Sequence, residues 1–328
     1  MSQRLEYIDI AKGFGIILVV LSHTEHPELM YYTSAFFVPI FFFCSGYTSN
    51  KKDISLVTYF QKQATKLLKP YLFFSALLLL YFHDFSLRAI GGIIYSRYCL
   101  YPFNSGTDIC HFMIIGNYPM WFLTCMVIAF LLYDLLIYNL KICHYLIFLY
   151  LTISIFMNYL PILLPWSIDT APLMAVIMFC GKLYRQYLSD FFRRKKPLIF
   201  VLIIIYLVLL PFCDYINISV REYGSSVITY LLSALTGSII LINLSKSLQG
   251  TVIGRVLQQI GIHSLTIFCI EIPFILIGKQ LAEIILPEFT SLQTAIIISI
   301  IQLFIALLGG YLLSILLHRY EIMRKFIY

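Results

Sequence analysis

Long apolar runs, separated by short clusters of Lys, Arg, Gly and Pro, dominate the chain. Ten can be drawn, over residues 8–25, 33–49, 69–84, 118–139, 142–160, 171–186, 197–213, 225–244, 258–278 and 292–317. A membrane-crossing helix needs about 20 apolar residues. The pattern therefore predicts an all-α polytopic integral membrane protein, with residues 1–328 forming a single bundle of about ten transmembrane helices. The runs 69–84 and 171–186 are short for a crossing, and Lys69 and Arg185 at their ends are expected to snorkel. The first run lacks a small-residue cleavage site and carries Lys12 and Gly13, so it is expected to remain as an anchor. The longest polar stretch, 85–117, contains Gly91, Gly92, Pro102, Asn104, Gly106 and Gly116 among Ile93, Ile94, Phe103 and Phe112. Such a loop is expected to fold back as a lid or as short amphipathic helices. No internal repeat is visible, which weakens a reading as an inverted-repeat transporter.

Composition agrees with this picture. Of 328 residues, 60% are AVILMFWYC and 12% are charged, against about 25% charged in a soluble domain. The net charge of +7 by itself suits nucleic acid, but its placement does not. Alternating the runs from a cytoplasmic start puts 19 of the 23 Lys and Arg residues inside, leaving Arg88, Arg97, Arg221 and Lys279 outside. That bias predicts both termini in the cytoplasm and no nucleic-acid partner. The basic cluster Arg193–Lys196 then marks an ordinary cytoplasmic loop. The eight cysteines show no metal spacing, and no metal site is expected. Cys99 and Cys110 share one polar loop and can pair if that loop is extracytoplasmic.

Ionisable groups within the hydrocarbon are functional candidates, because lipid does not solvate them. Asp9 and Lys12 stand at the inner end of the first run, His23 near its outer end, and Glu271 near the middle of the ninth. Lys12 and His23 are 11 residues apart, which places them on one helix face about 16 Å apart along the axis. This stripe suits an elongated ligand charged at its inner end and reactive at its outer end. Each group also has a plainer reading. His23, followed by Glu25 and His26, is an interfacial histidine in that view, Asp9 and Lys12 are a local ion pair, and Glu271 is a protonated carboxyl bonded to a neighbouring helix. If Glu271 needs a partner, His23 and His263 both qualify. Ser45-Gly46 lets a helix or a thin ligand approach the backbone closely. Lys62, Lys66 and Lys69 share one helix face and attract phosphate at the inner surface, or simply obey the topology rule. Trp121, which follows Asn117 and Tyr118 at the outer end of the fourth run, belongs to an aromatic belt or stacks on a sugar.

Five segments together resemble the acyltransferase-3 family of membrane acyltransferases, within it the fucose-4-O-acetylase-like group. They are the stretch Arg4 to His23, the second-run FFFCSGY, Lys66-Leu67-Leu68-Lys69-Pro70-Tyr71, Trp121-Phe122-Leu123, and Ile260 to Phe268. The first is specific, and each of the others is weak alone. The resemblance implies ten spans and transfer of an acyl group, usually acetyl, from cytoplasmic acyl-CoA to an extracytoplasmic hydroxyl. The acceptor it implies is a surface polysaccharide sugar or its lipid-linked precursor, and the setting is the cytoplasmic membrane of a bacterial cell. Carried over, His23 is the catalytic residue, as general base or transient acyl carrier. Asp9, Lys12, Lys66 and Lys69 match the CoA-facing end, and Ser45 and Gly46 the wall of an acyl channel. Glu25, Asn117 and Trp121 are expected substrate contacts at the outer end. Many relatives carry a histidine four residues beyond the ninth-span aromatic position, whereas here Glu271 lies three beyond Phe268. Glu271 is thus a second catalytic candidate, its role open. Acyl-CoA, the glycan and membrane lipid are the expected partners, and whether the protein is a homo-oligomer is left open. The competing reading is a transporter or flippase in which Glu271 and His23 form a relay. A third, weaker one is a structural subunit of a polysaccharide export complex.

Overall fold

The computed structural model describes residues 5–25, 30–49, 55–102, 119–138, 141–195, 197–285 and 292–321. Thirteen α-helices are present among them: α1 Glu6–Ser22, α2 Pro39–Thr48, α3 Leu56–Phe82, α4 Leu87–Tyr95, α5 Trp121–Tyr138, α6 Cys143–Met157 and α7 Ala171–Leu183, then α8 Ser189–Arg194, α9 Leu198–Leu209, α10 Val227–Ser247, α11 Val252–Ile262, α12 Ser264–Ile285 and α13 Leu292–Arg319. The all-α expectation has one small exception. Strands β1 Ile216–Asn217 and β2 Glu222–Tyr223 pair antiparallel with Ile216 opposite Tyr223.

Six helical segments among the described residues are long and apolar enough to cross a membrane. They are Val57–Phe82, Trp121–Tyr138, Pro165–Arg194, Val227–Ser247, Ser264–Ile285 and Gln293–Arg319. Each of the ten apolar runs coincides with helix, with two differences of framing. The third helix starts at Leu56, so Lys62, Lys66 and Lys69 lie within α3. The ninth run is not one helix, because the chain breaks at His263 between α11 and α12.

The chain divides into two compact units. One comprises residues 1–41 and 237–325, the other residues 42–236 with the last three residues of the chain. In the first unit α1 lies along α11, and α12 lies along α13. In an apolar solvent helices gain little from hydrophobic burial against one another, so small residues that admit close backbone contact take over. A Cβ on Gly13 would stand 2.1 Å from the Leu257 carbonyl oxygen, and one on Gly261 would stand 1.8 Å from that of Asp9. The pairing of 9 with 261 and 13 with 257 makes α1 and α11 antiparallel with backbones touching. Between α12 and α13, Gly310 meets the Ile267 Cα and Gly278 the Gln302 Cα, at 2.9 and 2.8 Å from an added Cβ.

In the second unit α5 packs against α3 and α7, and α7 against α6. Gly46 and Gly181 join α2 to α7 in the same manner, against the backbones of Met178 and Phe43. The loops of this unit are tied by a buried charge knot. Asp169 is 1% exposed and takes an ion pair from Arg97, 1% exposed, and a second from Arg221 Nε at 3.2 Å. Its Oδ2 also accepts from the Leu164 N–H at 3.1 Å. Arg97 donates onward to the carbonyls of Leu164 and Ser219. Arg221 donates to those of Met157, Leu160 and Ile162. Arg221 holds a left-handed backbone, φ +63°, after a 3-10 turn whose Ser219 N–H bonds Asn217 Oδ1. That conformation costs on the order of 1 kcal/mol and aims the guanidinium inward. Burial draws the Arg221 pKa down, while Asp169 opposes the fall. Two of the four basic residues assigned outside are thus structural rather than solvated.

The expected lid is partly described. Residues 87–95 form α4, capped by the Ser86 hydroxyl on the Ala89 N–H. Its backbone is held by Tyr71 Oη on the Ile93 carbonyl at 2.6 Å and by Trp166 Nε1 on that of Ile94 at 2.8 Å. Leu87 and Ile94 face outward, 89% and 70% exposed, as an amphipathic element at a lipid boundary would. Phe103 and Phe112 lie outside the described residues, as does Cys110. Cys99 is buried, its Sγ 3.2 Å from the Tyr101 carbonyl oxygen.

Gly261→Val is expected to lower thermal stability in detergent by roughly 2 kcal/mol or more, whereas Gly91→Ala, with nothing within 4 Å of its Cβ, is expected to be neutral. Asp169→Asn, which leaves two buried guanidinium groups without their carboxylate, is expected to cost on the order of 3 kcal/mol. Unfolding monitored by thiol accessibility or tryptophan fluorescence reads both, and an unchanged melting point for Gly261→Val contradicts the glycine contact.

Candidate functional site

The first unit positions the site from the end of α1. The last carbonyls of a helix lack intrahelical donors, and here local hydroxyls supply them. Ser22 Oγ donates to the Val19 carbonyl at 2.7 Å, and Thr24 Oγ1 to that of Leu21 at 2.8 Å. His23 is the C-cap, with φ −105° and ψ 3°, and its N–H bonds the Val20 carbonyl at 3.1 Å. The closure ends α1 at a fixed point and delivers the imidazole sideways to α12.

There His23 Nδ1 stands 3.0 Å from Glu271 Oε1, with the two side chains 18% and 0% exposed. Glu271 occupies the first half of α12, two residues before Pro273. Proline removes the helical N–H that would bond the Cys269 carbonyl, loosening the ladder beside the carboxyl. A carboxyl wholly out of water requires a partner, and of the two candidates His23 supplies it. His263 is engaged elsewhere, with its Nδ1 2.7 Å from Ser314 Oγ and its ring 5.6 Å from that of His318. A carboxylate this close to Nδ1 favours the tautomer that carries the proton there, which leaves the basic lone pair on Nε2. The arrangement can accept a proton at Nε2 and stabilise the resulting imidazolium.

Two turns farther along α12, Lys279 Nζ lies 2.7 Å from Glu25 Oε1, with side chains 44% and 40% exposed. The Glu25 N–H donates to Gln302 Oε1 at 3.1 Å, and Gln302 is 1% exposed. The segment leaving His23 is therefore fastened to both α12 and α13.

Toward the other end of α1, Asp9 is buried at 4% exposure, its carbonyl against Gly261, and Lys12 is half-buried. Asp9, Lys12, His23, Glu25 and Glu271 all belong to the first unit. Ser45, Gly46, Lys66, Lys69 and Trp121 belong to the second. Lys66 and Lys69 are exposed on one face of α3, and Ser45 is half-buried. The room that Gly46 makes is filled by the Met178 backbone, so this glycine serves helix packing. Trp121 is 6% exposed and edge-on to Phe122, with ring centroids 6.4 Å apart; its indole is a core side chain and not a presented stacking platform. Asn117 lies outside the described residues. No group of three or more metal-ligating side chains occurs among the described residues.

Neither Lys279, counted above only among the outside basic residues, nor Gln302 is a site candidate from the sequence alone. An amide within a 26-residue apolar run, and one of four basic residues on the sparsely charged side, were the available signals.

A family model for an acyltransferase domain, that of the acyltransferase-3 group, matches residues 5–319. No curated protein and no solved structure gives a significant match.

Coupling between His23 and Glu271 is directly measurable. A double-mutant cycle with His23→Gln and Glu271→Gln, read by thermal unfolding of the full chain, is expected to give an interaction energy of about 1 kcal/mol or more. Additive losses would mean that the two side chains do not meet.

Proposed function

Since the chain belongs to the acyltransferase-3 family of membrane acyltransferases, we propose that it transfers an acetyl group from cytoplasmic acetyl-CoA to a hydroxyl of an extracytoplasmic sugar, with His23 as general base and Glu271 as the group that orients and charges it. The contact of the imidazole Nδ1 with a fully buried carboxylate, 3.0 Å away, is the observation that carries the reading.

An alcohol is a poor nucleophile at neutral pH and needs a base within hydrogen-bond reach. In the proposed step His23 Nε2 takes the hydroxyl proton as the oxygen attacks the thioester carbonyl. The tetrahedral adduct collapses, the C–S bond breaks, and the CoA sulfur leaves with the proton returned by the imidazolium. Glu271 holds the ring in the required tautomer throughout and offsets its transient positive charge, the duty a carboxylate performs behind other catalytic histidines. Histidine as base thus needs no acyl-imidazole, although the same ring can carry one.

The reading places the donor inside and the acceptor outside. The apolar segments then cross the bilayer, the ninth through α12, with both termini in the cytoplasm, as the distribution of Lys and Arg favours. Helix α1 has 17 residues, about 25 Å of rise, so the turn after Ser22 carries His23 toward the outer surface. Lys12 lies about 16 Å below it along the same helix, and the reading assigns Lys12 to a CoA phosphate as a point charge. Asp9 then orients this inner end. Surface glycan or its lipid-linked precursor is the proposed acceptor class.

Membranes containing the protein are expected to move radiolabelled acetyl from acetyl-CoA to glycan, and His23→Ala is expected to abolish transfer while the protein still inserts. Glu271→Gln, which retains shape but not charge, is expected to lower kcat on the order of a hundredfold or more, within the range of general acid–base contributions. CoA at about 100 times its Kd should stabilise the purified chain by about 2.7 kcal/mol. Normal transfer by His23→Ala, or no stabilisation by CoA at any concentration, contradicts the proposal.

A further inference from the structure

We propose that Glu25 and Lys279 form a two-point clamp for the acceptor, recognising a hydroxyl other than the one acylated, so that the substrate must carry at least two hydroxyls. The inference rests on the acyltransferase reading above and deepens it by naming what the acceptor must present.

Three observations converge on the pair. It stands on the same elements as the reaction centre: Glu25 is two residues beyond His23, and Lys279 is eight beyond Glu271 on α12, about 12 Å of helical rise. Exposure rises along the same path, from 0% at Glu271 and 18% at His23 to 40% at Glu25 and 44% at Lys279. Finally, the pair is held in place, because buried Gln302 accepts the Glu25 N–H at 3.1 Å and Gly278 brings the α13 backbone against α12.

As a stabilising device a half-exposed ion pair is worth little, typically about 0–1 kcal/mol. For recognition it is well equipped. An ammonium has three donors and a carboxylate about four acceptor sites, so one 2.7 Å contact uses only a part of either group. A hydroxyl placed across the pair can donate to Glu25 and accept from Lys279 at once. Fixing one hydroxyl in this way leaves another hydroxyl of the same acceptor to be directed at His23. An isolated alcohol cannot make both contacts.

The test uses the full chain in proteoliposomes, acetyl-CoA as donor, and methyl glycosides of mannose, galactose and fucose as acceptors, each beside monodeoxy counterparts lacking one ring hydroxyl. Release of CoA is followed with and without acceptor. The wild type is expected to disfavour at least one monodeoxy analogue on the order of tenfold or more in kcat/KM, the scale of a charge-assisted hydrogen bond. Lys279→Met and Glu25→Gln should raise the acceptor KM by a similar factor with kcat little changed, and should erase that discrimination. Lys279→Arg, which keeps charge and donors, should retain most of it. Acceptor-independent CoA release should be the same in all four proteins. Discrimination that persists in Lys279→Met, or CoA release without acceptor that falls in parallel with transfer, overturns the clamp alone. So does a wild type in which none of the glycosides accelerates release. A wild type that neither releases CoA nor is stabilised by it overturns the acyltransferase reading as well.

Discussion

A carboxylate moved from water into a medium of low dielectric loses solvation that only a proton or a cation can replace, and the two units of this chain answer that demand with different chemistry. In the second unit Asp169 is met by two arginines whose remaining donors end on backbone carbonyls. Guanidinium does not deprotonate under any physiological condition, so the charge state of that knot is permanent and its effect is to fix loops. In the first unit Glu271 is met by a histidine. Imidazole can both accept and donate a proton, so the same constraint that secures one unit makes the other chemically responsive. A carboxylate that would be stranded without the imidazolium also favours that cation when it forms, as a base in catalysis requires.

For the pairing to exist, α1 must sit at one depth and rotation relative to α12. Hydrophobic burial does not set that position, since lipid is as apolar as the helix faces. Backbone contact does. Gly13 against Leu257 and Gly261 against Asp9 leave no room for sliding by a residue, because the next register would drive a side chain into a carbonyl. Helix α11 in turn leads into α12 through the single turn at His263. The chain of cause runs from two glycines to the height of α1, and from there to the 3.0 Å contact at its far end.

Long apolar runs made the helices legible. The ninth run joins two helices because Gly261, His263 and Ser264 interrupt it too briefly to stand out from the apolar residues on either side, while Arg255, Gln258 and Gln259 disguise the amphipathic helix α11. The candidate residues at the ends of α1 could be found by cost alone, since ionisable groups in a membrane run are few. Which histidine serves Glu271 could not be, because His23 and His263 are equally available until α12 and α13 are placed; Ser314 then claims His263. Trp121 shows the converse limit. A tryptophan at the outer end of a run is compatible with a belt, a sugar platform or a core, and only packing against Phe122 decides. Arg97, Asp169 and Arg221 come from three separated loops with no period to link them.

Burial also sorts the polar groups of α12 by what they can exchange. Breaking a buried charge pair by removing one partner typically costs about 3–5 kcal/mol, more than a weak ligand contact returns, so the wholly buried Glu271 carboxyl keeps the mostly buried His23 as its partner. A half-exposed pair such as Glu25 and Lys279 is worth about 1 kcal/mol or less, and water already competes for its atoms. It can open, share or re-form contacts with an incoming hydroxyl at almost no net cost. Eight residues of one helix thus span the whole range between a contact too costly to break and one cheap enough to trade. On the proposed reading, proton transfer belongs at the first end of that range, and selection of the molecule that receives the acyl group at the second.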